Sequence, residues 1–342
     1  MDKLQVWIEK HAETRLDQVR KHLQRLLPGI CFCMVVVLAA TYISEHYGSS
    51  QILGALLLGM ALNTISRYSE FSTGLDFCAK KVLRFGVALL GIRITFSQIS
   101  ELGAQPFILV SVVVVSTLFF SVAVAMMMKV DRVKAIISGA AVGICGVSAA
   151  LAVAAVLHND KSTEKHLLCT VVGVTGLSTI CMILYPGILI SLGMSSQQMG
   201  LYIGASIHDV AQVFGAGEMI SAEVAQLATY TKMLRVAMLV PVIMVLAFLF
   251  RHGGSGKTQI ERALPPFLIA FVVFVVLANV NIVPPKMVDI MSQLSQVCLW
   301  VSMAALGAKT NLIEMWEVGR KPFLLLLLNT LFIAGASLLL VI

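Results

Sequence analysis

His208 and Asp209 are the only acidic or basic side chains between Leu167 and Gly217, in sequence that is otherwise apolar enough to lie in a membrane. A charge at the centre of a bilayer helix costs about 2.5–3.5 kcal/mol on insertion scales, so such a pair is a candidate functional site. Imidazole is suited to proton coupling near neutral pH, and Asp209 is placed to orient or neutralise His208. Ser206, His208 and Gln212 are expected close to one face of a helix, because positions i and i+4 neighbour each other. The plainer reading is a satisfied polar pair buried between helices. Gly200, Gly204, Gly215 and Gly217 flank the pair and would let the backbone unwind there.

Two further groups carry chemistry. Gly139, Gly143 and Gly146, with Cys145 and Ser148 beside them, suit a break in an apolar helix. A break exposes half-helix N-termini, whose free N–H groups attract anions. Small-residue packing of the GxxxG kind explains Gly139 and Gly143 equally well. Lys232 and Arg235, three apart, share a helix face. In a span that starts near residue 223 they lie about 13–18 Å deep, which calls for an anionic partner: Asp209, Glu218, Glu223 or a transported anion. In a span that starts after Arg235 they are ordinary flanking charges, but residues 236–250 are short of the roughly 20 a span needs. Arg93 and Lys309 either add positive potential near the midplane or end short helices.

These residues need membrane helices to position them. The chain has 342 residues, of which 58% are hydrophobic and 13% charged, and its mean hydropathy is +0.91. Soluble domains carry about 25% charged residues, so a soluble globular protein is excluded. Eleven membrane segments are expected, at 28–44, 51–66, 82–99, 104–128, 134–157, 167–192, 199–217, 223–250, 263–282, 290–307 and 321–342. Residues 1–27 read as an amphipathic cytoplasmic helix with Leu16, Val19, Leu23 and Leu26 on one face, followed by one transmembrane domain over 28–342. The net charge of +7 sits at the ends of apolar runs, as topology signals do. Basic connections at 67–84, 129–134, 251–262 and 309–321 put the N-terminus in the cytoplasm and the C-terminus outside; Lys161 and Lys165 in 158–166 are the exception. The seven cysteines include no CxxC pair and read as buried small hydrophobes, and no metal or cofactor is expected.

An internal repeat points to a transporter. Residues 91–107 align without gaps to 307–323, with Gly91, Glu101, Gly103, Pro106 and Phe107 matched by Gly307, Glu317, Gly319, Pro322 and Phe323, and Arg93 by Lys309. With seven spans between them the copies would run in opposite directions, a plan common in secondary transporters. The run Gly253–Thr258 only superficially resembles a phosphate-binding loop: the first glycine position holds Arg251, and no strand precedes it. It reads as a flexible cytoplasmic loop.

Gly54, Gly59, Leu83 to Arg93, Ile144 to Ser148, Ser206 to Gln212, Thr231 to Arg235 and Leu306 to Thr310 occur in the order seen in the YeiH-type family. The chain resembles these bacterial inner-membrane proteins, named as sulfate exporters, from about Gly54 to its end. At fold level that family is similar to bile-acid symporters and sodium–proton antiporters. The resemblance implies an all-α fold with inverted repeats, two discontinuous helices crossing near Gly146 and His208, and elevator-like motion of a core against a scaffold. The expected function is secondary active transport of a small inorganic or sulfur-containing anion, sulfate first. Cys145, Gly146, Ser148, Ser206, Lys232 and Arg235 would bind the anion, while His208, Asp209 and Gln212 would couple or gate. Protons or sodium are the candidate coupling ions and membrane lipid the surroundings; a homodimer is compatible with the sequence, and nucleic acid is not expected as a partner. The rivals are a sodium-coupled organic-anion or bicarbonate symporter, an intramembrane enzyme with Cys145 as nucleophile, and a non-transporting sensor.

Overall fold

The computed structural model describes residues 2–48, 50–157, 161–250, 266–280, 283–310 and 319–342, with the side chains of 2–22, 98 and 161 left aside. The Gly253–Thr258 run, the cations Arg251, Lys257 and Arg262, and residues 311–318 of the second repeat copy lie outside the described residues.

The described residues form helices and no strand. Helix α1 is Asp2–Tyr47, so the basic arm and the first apolar stretch share one helix. Then come α2 Gln51–Ala61, α3 Ser69–Phe77, α4 Leu83–Leu90, α5 Phe96–Leu102 and α6 Gln105–Met127. The central run is α7 Arg132–Ala140, α8 Val147–Val156, α9 Lys161–Ser191, α10 Ser196–Ser206, α11 Val210–Glu218, α12 Ala222–Ala237 and α13 Leu239–Leu249. The chain ends with α14 Pro266–Asn279, α15 Pro285–Lys309 and α16 Arg320–Val341. Leu23–Tyr47, Gln105–Met127, Ser162–Ser191, Ala222–Leu249, Pro285–Lys309 and Arg320–Val341 are long and apolar enough to cross a bilayer. The chain is a multi-pass membrane protein. Other expected segments are shorter or interrupted helices: α2 gives way to a 3-10 turn at Asn63, and 134–157 and 199–217 each break in the middle.

Two compact units are present. One comprises the chain up to Arg84 with Cys298–Thr310. In it α1 and α3 meet backbone to backbone at Gly29 and Gly74, α2 meets the end of α15 at Gly59 and Gly307, and Lys309 ion-pairs with Asp76. The other comprises Phe85–Val297 with α16, and it holds both interrupted helices. Lipid tails are as apolar as leucine, so its helices associate through close backbone contact and polar bonds. Met199–Ser206 of α10 and Val210–Gly217 of α11 are buried throughout, shielding the break between them from lipid.

Contacts recur at the repeat's 216-residue offset. Arg93 hydrogen-bonds Ser292 within the second unit, and Lys309 pairs with Asp76 within the first. Both partners of one pair are displaced by 216 from those of the other. Gly103 and Gly319, also equivalent, both have positive φ, at 56° and 45°. Gly91 approaches the Phe271 carbonyl and Gly307 that of Leu56, acceptors that are 215 residues apart and so one position out of register with the repeat.

Candidate functional site at two interrupted helices

Both breaks follow from local sequence. After α7 the backbone widens into a π turn over Ala141–Cys145 and then reverses at Gly146, with φ 64° and ψ −129°. That region is essentially closed to residues with a Cβ, so Gly146 ends one half-helix and α8 starts the next. The second break spans Ile207 to Asp209, where both cap residues are extended and the Asp209 carboxylate accepts the Ala211 N–H at 2.9 Å. Asp209 is therefore the N-cap of α11. A Cβ placed on Gly146 would lie 3.6 Å from the His208 carbonyl oxygen, so the two breaks touch.

Each break leaves a helix C-terminus with unpaired carbonyls. Lys232 and Arg235 of α12 satisfy them. Lys232 Nζ donates to Ile144 O at 2.7 Å and Ile207 O at 2.8 Å, one from each break. The Arg235 guanidinium donates to Val142 O (2.7 Å) and Gly143 O (3.0 Å) on one side. On the other it donates to Ala205 O (2.6 Å), Ile207 O (3.0 Å) and Gly204 O (3.1 Å). Both side chains are 0% exposed. Cations at helix C-termini are also favoured by the helix dipoles. Gly204 brings α12 this close: a Cβ there would be 2.4 Å from Ala228 O. The expected acidic partner is thus replaced, for hydrogen bonding, by six carbonyl oxygens.

The remaining site residues divide. Ser206 Oγ donates to Tyr202 O at 2.7 Å, His208 Nε2 lies 3.0 Å from Thr330 Oγ1, and Gln212 Nε2 donates to Thr179 Oγ1 at 2.7 Å. The single face expected for Ser206, His208 and Gln212 is not formed, because the break at 207–209 separates α10 from α11. The Cys145 thiol is buried within reach of the Ala149 N–H, whereas Ser148 is exposed at the start of α8. Arg93 ends a 3-10 turn against Ser292, and Lys309 ends α15 against Asp76.

Sequence reading missed Thr330, Ser178 and Thr179. Ser178 Oγ accepts the Asp209 N–H at 3.2 Å. Beside Thr330, Asn329 reaches Ser121 Oγ at 2.9 Å. Asn329 and Thr330 follow Leu324–Leu328, and the cost that singled out His208 applies to an amide in such a run as well.

A family model described as "Conserved hypothetical protein 698" matches residues 28–326. A UPF0324 membrane protein of Chlorobaculum tepidum is 41% identical over 327 residues, covering 95% of this chain and 91% of its own. The chain belongs to the UPF0324 family of membrane proteins. Among its other relatives is TauZ of Paracoccus denitrificans, 39% identical over 91% of this chain and 94% of its own. A UPF0324 protein of Rhizobium meliloti is 37% identical, covering 94% of each chain. The UPF0324 match is the family that the YeiH-type motifs indicated, and it takes in both breaks and the α12 cations.

Proposed function

We infer that this protein is a secondary active transporter of a small anion, with sulfate or a related sulfur-containing anion as substrate. The observation that carries the reading is the contact of two interrupted helices at Gly146 and His208, with both C-terminal ends held by Lys232 and Arg235. Transporters build substrate sites from such broken helices near the bilayer midplane. Lys232 and Arg235 act on the anion chiefly through their field, since carbonyls accept from the Lys232 ammonium at two places and from all three nitrogens of the Arg235 guanidinium. The anion itself lies at the start of α8, where Ser148 is exposed beside Cys145 and Gly146.

A charge count supports an anionic substrate. The two cations supply about +2, and two helix C-termini offset roughly −1 of it. The two N-terminal ends return roughly +1, and Asp209 removes about 1. The remainder, near +1, suits one negative charge, or a dianion that moves with a proton. His208, Asp209 and Gln212 then couple or gate through their bonds to α16 and α9. Eleven spans, inverted repeats and elevator-like motion complete the proposal; the 216-residue recurrence of Arg93–Ser292 and Asp76–Lys309 supports the repeat. The reading is passage of an anion and not catalysis.

Counterflow in proteoliposomes tests this reading, with radiolabelled sulfate, sulfite, thiosulfate, taurine or bicarbonate inside and outside. Saturable exchange of a sulfur-containing anion is expected, enhanced by a proton gradient and lost in Lys232→Ala or Arg235→Ala. Folded protein that exchanges none of them, or exchange that survives both substitutions, would refute it.

A further inference from the structure

We propose that Lys232 is the resident cation of the paired breaks: its ammonium group holds the place a coupling metal ion would need, and the protein binds no sodium there. This deepens the transport reading and rests on it only for the identity of the coupling ion. Unwound carbonyls and half-helix C-terminal ends are where sodium is coordinated in transporters built from broken helices. Here the carbonyls of Val142, Gly143, Ile144, Gly204, Ala205 and Ile207 already accept hydrogen bonds from Lys232 or Arg235, at 2.6–3.1 Å.

The position of Lys232 is specific. Its nitrogen takes one carbonyl from each break, Ile144 at 2.7 Å and Ile207 at 2.8 Å, and so bridges the two as a bound ion would. The side chain is 0% exposed. Its helix packs directly on α10, where Gly204 lies against the α12 backbone at Ala228. A sodium ion entering beside Lys232 would face two fixed cations in a low-dielectric site, where like charges repel strongly. The cation that closes these helix ends is therefore part of the chain, and coupling falls to a proton.

The test uses purified full-length protein in detergent, with unfolding midpoints compared in sodium, potassium and choline chloride at equal ionic strength. The wild type is expected to unfold within about 2 °C in all three; a sodium site occupied at about a hundred times its Kd would raise the midpoint by several degrees. Lys232→Ala and the less disruptive Lys232→Gln are expected to unfold earlier and to recover saturably on adding methylammonium or sodium. Lys286→Ala, an exposed lysine, is expected to show no such recovery. Saturable stabilisation of the wild type by sodium alone overturns the proposal even if neither Lys232 variant folds. So does a folded Lys232 variant that no free cation stabilises. No transported anion enters these measurements. Sodium-driven exchange of a sulfur-containing anion would thus sink this proposal and leave anion transport standing, whereas absent exchange with sodium-indifferent stability would do the reverse.

Discussion

Gly146 and His208 meet backbone to backbone: a Cβ on the glycine would sit 3.6 Å from the His208 carbonyl oxygen, with open van der Waals room. Two breaks 62 residues apart in sequence are thereby brought within reach of one lysine and one arginine. A cation on a third helix can serve both C-terminal ends only because the breaks touch.

Gly146→Ala separates conformation from space. The added methyl has room, so the cost arises from φ 64° and ψ −129°, a region that non-glycine residues avoid. A loss of about 1–3 kcal/mol is expected, by denaturant unfolding in detergent. Gly187→Ala is the control: it lies inside α9 with nothing within 4 Å, and alanine there should be neutral or stabilising. Equal effects from the two substitutions would mean that Gly146 is an ordinary helix residue.

Arg235→Met should be among the most destabilising substitutions in the second unit. It removes five hydrogen bonds and leaves carbonyls from both breaks without a donor in a site closed to water. Unsatisfied buried groups cost about 1–3 kcal/mol each, and removing one member of a buried charged network costs about 3–5 kcal/mol in total. Arg235→Lys keeps the charge but cannot reach both helix ends with a planar fork, so it should recover less than half of the loss. Unfolding midpoints of the two variants decide this, and a near-neutral Arg235→Met would mean that the carbonyls find other partners.

The sequence marked the break sites and the depth of the two cations, because glycine clusters and charges in apolar stretches have few cheap explanations. It could not give the partners. Whether Lys232 meets Asp209, a solute or the Ile144 and Ile207 carbonyls depends on where α7 and α10 end in space, and backbone carbonyls leave no trace in residue type. The same limit explains Gln212 and Ser206: helical spacing put them near one face, but extended backbone at Ile207 and Asp209 cancels that spacing. Thr330 carries no such signal, because a threonine can bond its own helix, as it does to Leu326 O at 2.8 Å. Only the fold brings His208 to it.

Orientation gives a prediction independent of the site. Basic connections such as Lys129, Arg132 and Lys134 after α6 should face the cytoplasm, and the exposed C-terminal Ile342 the opposite side. Alkaline phosphatase fused after Ile342 should be active in intact cells, and a fusion after Lys129 inactive. A cytoplasmic fluorescent protein should give the opposite pattern at both places. An inactive phosphatase at Ile342 would remove the odd number of spans.

Asp76–Lys309 and Arg93–Ser292 provide a test of the repeat that does not depend on transport. If both contacts descend from one ancestral contact, each should stabilise its own unit, since a repeat's retained interactions persist where they hold packing together. Asp76 and Lys309 are 42% and 33% exposed at their side chains, so their coupling is discounted for solvent to about 0.5–1 kcal/mol. A double-mutant cycle with Asp76→Asn and Lys309→Met should return that value, and so should one with Ser292→Ala and Arg93→Met. The charge-reversed pair Asp76→Lys with Lys309→Asp should restore most of what either single reversal loses. Strict additivity in both cycles would leave the 216-residue offset as a resemblance of sequence without a shared interaction.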